Sequence, residues 1–173
     1  MDDLIIYSST DGQTKKICET IKKNLPSGNK FQLISLDEAL HFNLEKCEKI
    51  IIGASIRYGR HNKKVLDFII KNKNILDLKK TAFFSVNVVA RKEEKSTPET
   101  NPYVLSFLKK TNWKPNKLSV FAGKVDYPNY NFINRNVIRF IMKITKGPTD
   151  INNSYEFTNW ENVRKFAKEV ENL

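Results

Sequence analysis

The sequence predicts an α/β fold built on a doubly wound, five-stranded parallel sheet, and three observations predict it. Leu4 to Tyr7 (LIIY) is apolar, β-prone and too short for a free-standing helix, which suits a buried strand. A polar turn, Ser8-Ser9-Thr10-Asp11-Gly12-Gln13-Thr14, follows at once, and then Ile17, Ile21 and Leu25 recur at helical spacing. Short apolar runs and amphipathic stretches go on alternating to the last helix, as right-handed βαβ units require.

The first turn carries the chemistry. Strand, hydroxyl-rich turn and helix aim unpaired backbone N–H groups and the positive end of the helix dipole at one spot, where an anion binds without a dedicated cation. Ser9, Thr10 and Thr14 offer hydroxyl donors, and Gly12 lets the backbone approach a ligand. Neither Gly-x-x-x-x-Gly-Lys-Ser/Thr nor Gly-x-Gly-x-x-Gly occurs there, which argues against a triphosphate-cleaving loop and a dinucleotide site. One glycine among hydroxyls suits a single phosphomonoester, as in FMN. The same residue types also serve as ordinary helix caps, so residue type alone leaves both readings open.

Further along, Phe31–Leu36 reads as the second strand and Ile50–Ala54 (IIIGA) as a fully apolar third. A helix is expected from about Asn62 to Lys73 with Val65, Leu66, Ile69 and Ile70 inward, then a fourth strand over Thr81–Val86. Thr97 and Pro98 read as the start of a helix burying Tyr103, Phe107 and Leu108. Leu118–Val125 reads as strand five. The last helix carries a Thr158-x-x-Glu161 capping-box pattern and an apolar stripe of Trp160, Val163, Phe166, Ala167 and Val170.

Residues 126–153 are too many for a simple connection. Within them Ile133, Val137, Phe140, Ile141 and Ile144 project to one side of a helix, and Arg135, Arg139, Lys143 and Lys146 to nearly the opposite side, until Gly147-Pro148 ends the run. That is a basic amphipathic helix, suited to an anionic membrane surface. A surface helix packed on the protein's own core, or a pairing of two subunits, gives the same stripe.

The chain of 173 residues is expected to form one domain with a real core. Cys18 and Cys47 lack metal-ligand spacing and read as reduced thiols of a cytoplasmic protein. The first strand begins at once, leaving no room for a signal peptide, and no apolar run reaches the ~20 residues of a spanning helix. The net charge of +11 could attract nucleic acid, anionic lipid or an anionic substrate. The basic residues are spread along the chain, which makes nucleic acid the weakest of these. Of the histidines, His41 lies in a connector and His61 follows the loop after strand three. Neither stands out as a general base, and no catalytic side chain is singled out.

The turn at 9–14 resembles the flavodoxin phosphate loop, Thr/Ser-x-Thr-Gly-x-Thr, with Ser9, Gly12 and Thr14 matching and Asp11 in place of the middle threonine. GASIRYG (53–59), SVNVVARK (85–92), the TPxTN run at 97–101 and YP (127–128) are together similar to the menaquinone-dependent protoporphyrinogen IX dehydrogenases, nearly end to end. The resemblance implies strand order 2-1-3-4-5 and FMN as cofactor. The phosphate would rest on Ser9, Thr10, Asp11, Gly12, Gln13 and Thr14. Ala54, Ser55, Ile56, Arg57, Tyr58 and Gly59 would flank the ring on one side. Ser85, Val86, Asn87, Val88, Val89, Ala90 and Arg91 would flank it on the other, with Tyr58 against one ring face. The second loop offers no aromatic, so one ring face is expected to be open to a large flat substrate, with Tyr127, Tyr130 and Phe132 lining or covering the opening. For the propionates of protoporphyrinogen IX the candidates are Arg57, Arg91 and Lys92. Electrons would leave to menaquinone at the membrane. A flavodoxin-type electron carrier, usually acidic, and an NAD(P)H:quinone reductase are the competing readings.

Overall fold

The computed structural model describes residues 3–173. In chain order the elements are β1 (Asp3–Ser8), α1 (Gln13–Asn24), β2 (Phe31–Ser35), one-turn α2 (Leu36–Ala39), β3 (Lys49–Arg57), two-residue β4 (Arg60–His61), α3 (Lys63–Leu76) and β5 (Lys80–Val86). They continue with α4 (Pro102–Thr111), β6 (Lys117–Phe121), β7 (Lys124–Asp126), α5 (Phe132–Ile144), β8 (Ser154–Glu156) and α6 (Trp160–Glu171).

Five strands pair in parallel in the order β2-β1-β3-β5-β6. This is the expected 2-1-3-4-5 arrangement once β4, which only folds back antiparallel on the end of β3, is set aside. Alternation along the strands divides the core. Leu4, Ile6, Ile50, Ile52 and Phe83 face α3, α4 and Trp113, whereas Ile5, Ile51, Ala82 and Phe84 face α1 and α6. Gly53 lies opposite Phe84 on β5, and a Cβ there would sit 2.2 Å from the Phe84 ring.

Several expected boundaries move, each for a physical reason. The strand read over 118–125 breaks at Ala122-Gly123: β6 ends in the main sheet, and β7 leaves it to pair antiparallel with β8. α4 starts later than Thr97-Pro98. Thr97–Thr100 is a turn, and Asn101 caps the helix by accepting from the Tyr103 and Val104 amides, with Pro102 in the first turn. α3 continues to Leu76, and Phe68 rather than Ile70 joins its buried face; Ile70 is 52% exposed. The capping-box pattern at Thr158 is not used. Asn159 caps α6, accepting from the Glu161 and Asn162 amides, while Thr158 Oγ1 donates to the Ala122 carbonyl.

The stretch 126–153 forms a small layer of its own. Val125, Tyr127 and Met142 are buried together, with Val88, Tyr130, Ile138, Tyr155 and Phe157 packed around them. This attaches α5 beside the carboxyl ends of the strands. Among the described residues no helix is long and apolar enough to cross a membrane.

Gly53→Ala should lower folding stability by about 1–3 kcal/mol, because Phe84 must leave a close-packed site between Phe121 and Phe166. Urea denaturation with unchanged far-ultraviolet circular dichroism checks this.

Candidate active site

The turns after β1, β3, β5 and β6 converge on one cleft, the position at which parallel α/β sheets hold ligands. At its base, α1 begins on Gly12, whose φ of 86° is left-handed, and among the described residues no side chain caps the helix start. A Cβ on Gly12 would meet nothing within 4 Å, so it is backbone conformation, not crowding, that calls for glycine there. Among the described residues, Ser9 Oγ and Thr14 Oγ1 are buried and find no hydrogen-bond partner. Buried hydroxyls beside uncapped amides are the donor set an anion needs. A turn that merely capped its own helix would have used them. Gln13 is held from outside, donating to Thr158 Oγ1 at 2.9 Å and to Glu156 Oε1 at 2.6 Å.

The next wall is a hairpin tip. β3 and β4 are joined by Tyr58 and Gly59 alone, with φ of 50° and 76°, the positive pair that a tight two-residue turn requires. The turn carries the half-exposed Tyr58 ring at the cleft mouth, and Tyr58 Oη bonds to Asn134 Oδ1 of α5. Arg57 Nη1 donates to Asp11 Oδ2 at 2.7 Å, and its guanidinium lies over the rings of Tyr58 and Tyr130.

The wall after β5 is built on a buried polar chain. His61 Nε2 lies 3.0 Å from Ser85 Oγ, and Asn87 Nδ2 donates to that oxygen at 3.2 Å. Asn101 Nδ2 donates to Asn87 Oδ1 at 3.2 Å, and the same Asn87 oxygen accepts from the Ala90 amide. Each member therefore fixes the next, and the Val88–Arg91 turn is rigidly placed. His61, in contact with the rings of Phe83 and Phe107, has its pKa lowered from 6.5 to about 4 by burial, with the Lys110 charge adding to the effect.

Of the residues named from sequence, Ser9, Thr10, Asp11, Gln13, Thr14, Ser55, Ile56, Arg57, Tyr58, Gly59, Val86, Asn87, Val88, Val89, Tyr130 and Ile141 line this cleft. Gly12 lines an adjoining hollow with Lys16 and Lys124. Others fall elsewhere. Ala54, Ser85, Ala90 and Tyr127 are buried behind the walls, and Tyr127 Oη donates to the Pro148 carbonyl. Arg91 is a tether: its guanidinium donates to the carbonyls of Val88 and Thr145 and to Thr145 Oγ1, at 2.8–2.9 Å. Lys92 does not line the cleft either, and Phe132 points outward at 73% exposed. Tyr103, Lys124, Val125 and Ile138 line the cleft unforeseen. The i, i+4 pair Ile138 and Met142 was the available sequence signal for the anchoring side of α5.

The other side of α5 is open. Ile133, Phe140 and Ile144 are 64–70% exposed and Val137 is exposed with them, while Arg139 and Lys143 are exposed and Arg135 is half-buried along the basic edge.

The Flavodoxin domain family profile matches residues 4–152. A protoporphyrinogen IX dehydrogenase [quinone] of Leishmania major is 40% identical over 96% of this chain and 73% of its own length. A protein of the same name from Escherichia coli (strain K12) is 37% identical over 100% of this chain and 96% of its own. The chain belongs to the protoporphyrinogen IX dehydrogenase (quinone) family. It is thereby a flavodoxin-type flavoprotein and an oxidoreductase. Oxidised flavodoxin 1 from Bacillus cereus superposes with a TM-score of 0.52 at 15% identity, covering 98% of this chain and 97% of its own, and an archaeal flavodoxin does so with the same score and identity, covering 99% and 97%. These two agree in fold.

His61 gives the fold an acid-sensitive element. Its folded pKa of about 4 lies below its ordinary 6.5, so the unfolded chain takes up the proton first. Its contribution is complete above pH 6.5 and is lost as pH falls toward 4, on the order of 2–3 kcal/mol. His61→Gln, which cannot charge, should flatten that part of the stability profile when urea midpoints are compared at pH 7 and pH 4.5.

Proposed function

We propose that this protein is an FMN-dependent dehydrogenase that oxidises protoporphyrinogen IX and delivers the electrons to a membrane quinone, menaquinone. The observation that carries this reading is the position of α5. One side of the helix supplies Ile138 and Ile141 to the cleft, and the other exposes a contiguous apolar stripe edged with arginine and lysine. That surface suits an anionic bilayer, the solvent of a lipid quinone. The names of the relatives supply the porphyrinogen and the quinone as reaction partners. Docking on the cytoplasmic face of the cell membrane belongs to the same reading.

The residues fit an FMN phosphate. Ser9 and Thr14 hydroxyls and the amides of residues 12–14 would hold it, and Arg57, already paired to Asp11, would steady the loop without neutralising the anion. Bound flavin supplies two-electron chemistry on a flat ring and can release electrons singly or in pairs. The chain's part is positional. Tyr58 would face the ring from the hairpin tip, Asn87 and the Val88–Arg91 turn would hold the facing wall, and Ile138 and Ile141 would exclude water from the side of α5. Val86, Val88 and Val89 offer no ring on their wall, which leaves width for a macrocycle. His61 stays neutral behind Ser85 and does not reach the cleft, so proton removal is left to water or to the substrate's own nitrogens.

Thr14→Val should weaken FMN binding roughly tenfold, one charge-assisted hydrogen bond, while the apoprotein's melting temperature rises because a buried unpaired hydroxyl is removed; flavin fluorescence titration and apoprotein melting measure the two effects. The FMN-loaded protein should reduce a menaquinone analogue under anaerobic conditions only when protoporphyrinogen is present. Phe140→Asp should keep the rate with a water-soluble analogue and lose it with menaquinone held in anionic vesicles. No substrate-dependent quinone reduction at all would overturn the proposed function.

A further inference from the structure

A second hollow, of about 670 Å³, continues from the cleft past Tyr58 and runs between the start of α3 and the outer face of α4. It shares Thr10, Ser55, Arg57, Tyr58, Gly59 and Tyr103 with the cleft, so a ligand can occupy both. Its floor carries apolar side chains: Phe107 is buried, Leu66 is half-buried, and Ile70 is 52% exposed. Its rim is cationic. Lys63 is matched by Asp67 at 2.6 Å, but among the described residues neither Arg60 nor Lys110 has a carboxylate partner. The two stand on different elements, Arg60 on β4 and Lys110 on α4, and His61 beside Arg60 feels the Lys110 charge.

An apolar trough ending in two unneutralised cations, open to a flat-ring site, is complementary to a flat apolar body that carries carboxylates at its edge. We infer that this groove seats the carboxylate-bearing edge of the tetrapyrrole, with Arg60 and Lys110 as the residues that bind its carboxylates. The assignment rests on the proposed function and deepens it. It also moves substrate recognition away from Arg91, whose guanidinium is committed to Val88 and Thr145, and onto the opposite side of Tyr58. Arginine's fork can take one carboxylate bidentately, and the lysine reaches the other as a point charge. Desolvation of the macrocycle against Leu66, Ile70 and Tyr103 supplies the remaining affinity.

The test compares the FMN-loaded native protein with Arg60→Gln, Lys110→Gln, the double variant, and Lys109→Gln, which lies on the same helix outside the groove. Two readouts are used: KM and kcat for protoporphyrinogen, and the Kd of the oxidised product protoporphyrin IX, followed by porphyrin fluorescence with and without FMN. Each single variant should raise KM and Kd roughly tenfold and the double variant more, with kcat and FMN affinity little changed. Lys109→Gln should match the native protein, and Arg60→Lys should recover only part of the loss. An unchanged Kd in the double variant, or an equal loss in Lys109→Gln, overturns the groove assignment while leaving a turning-over enzyme intact. A native protein that neither binds the porphyrin nor oxidises the porphyrinogen overturns both the groove and the proposed function.

Discussion

α1 starts on a glycine in a left-handed conformation with its first amides uncapped, while the hydroxyls of Ser9 and Thr14 stay buried and unsatisfied beside them. Leaving such donors unpaired costs stability, of the order of 1–3 kcal/mol for each fully buried group. The other walls of the cleft are arranged about that spot. Asp11 is tied to Arg57 of β3, and Gln13 to Thr158 and Glu156 near the far end of the chain. An anion would satisfy this loop, and under the proposed function the FMN phosphate would bring the rest of its ligand into the space enclosed by Tyr58, Val86 to Val89 and α5.

The segment between β6 and α6 turns a carrier-like fold into something with more surface to offer. Its own core of Val125, Tyr127 and Met142 fastens α5 beside the strand ends, and Arg91 and Tyr58 tie it to the loops after β5 and β3. The helix therefore has three working sides. Ile138 and Met142 anchor it, Ile141 borders the cleft, and Ile133, Val137, Phe140 and Ile144 remain outside beside a basic edge.

The same division explains which residues were legible beforehand. The turn at 9–14 stood out because Ser9, Gly12 and Thr14 lie within a few residues of one another and of the first amides of α1. The wall at 86–89 could be read because it directly follows an apolar strand. Arg91 and Tyr127 resembled ligand-facing residues, but their roles depend on partners far along the chain, Thr145 and Pro148. Arg60 and Lys110 belong to different elements, and nothing in either local stretch announces that they share a rim.

By itself the sequence determined the layered α/β architecture, the strand order through family likeness, and the hydroxyl- and glycine-bearing turn before α1, since periodicity, turn chemistry and short-range donors are local properties. Tertiary structure decided where strand five breaks, which cap starts each of the last two long helices of the sheet layers, which side of α5 is anchored and which basic residues remain unpaired. Those outcomes turn on competition between partners distant in the chain, and only packing resolves that competition.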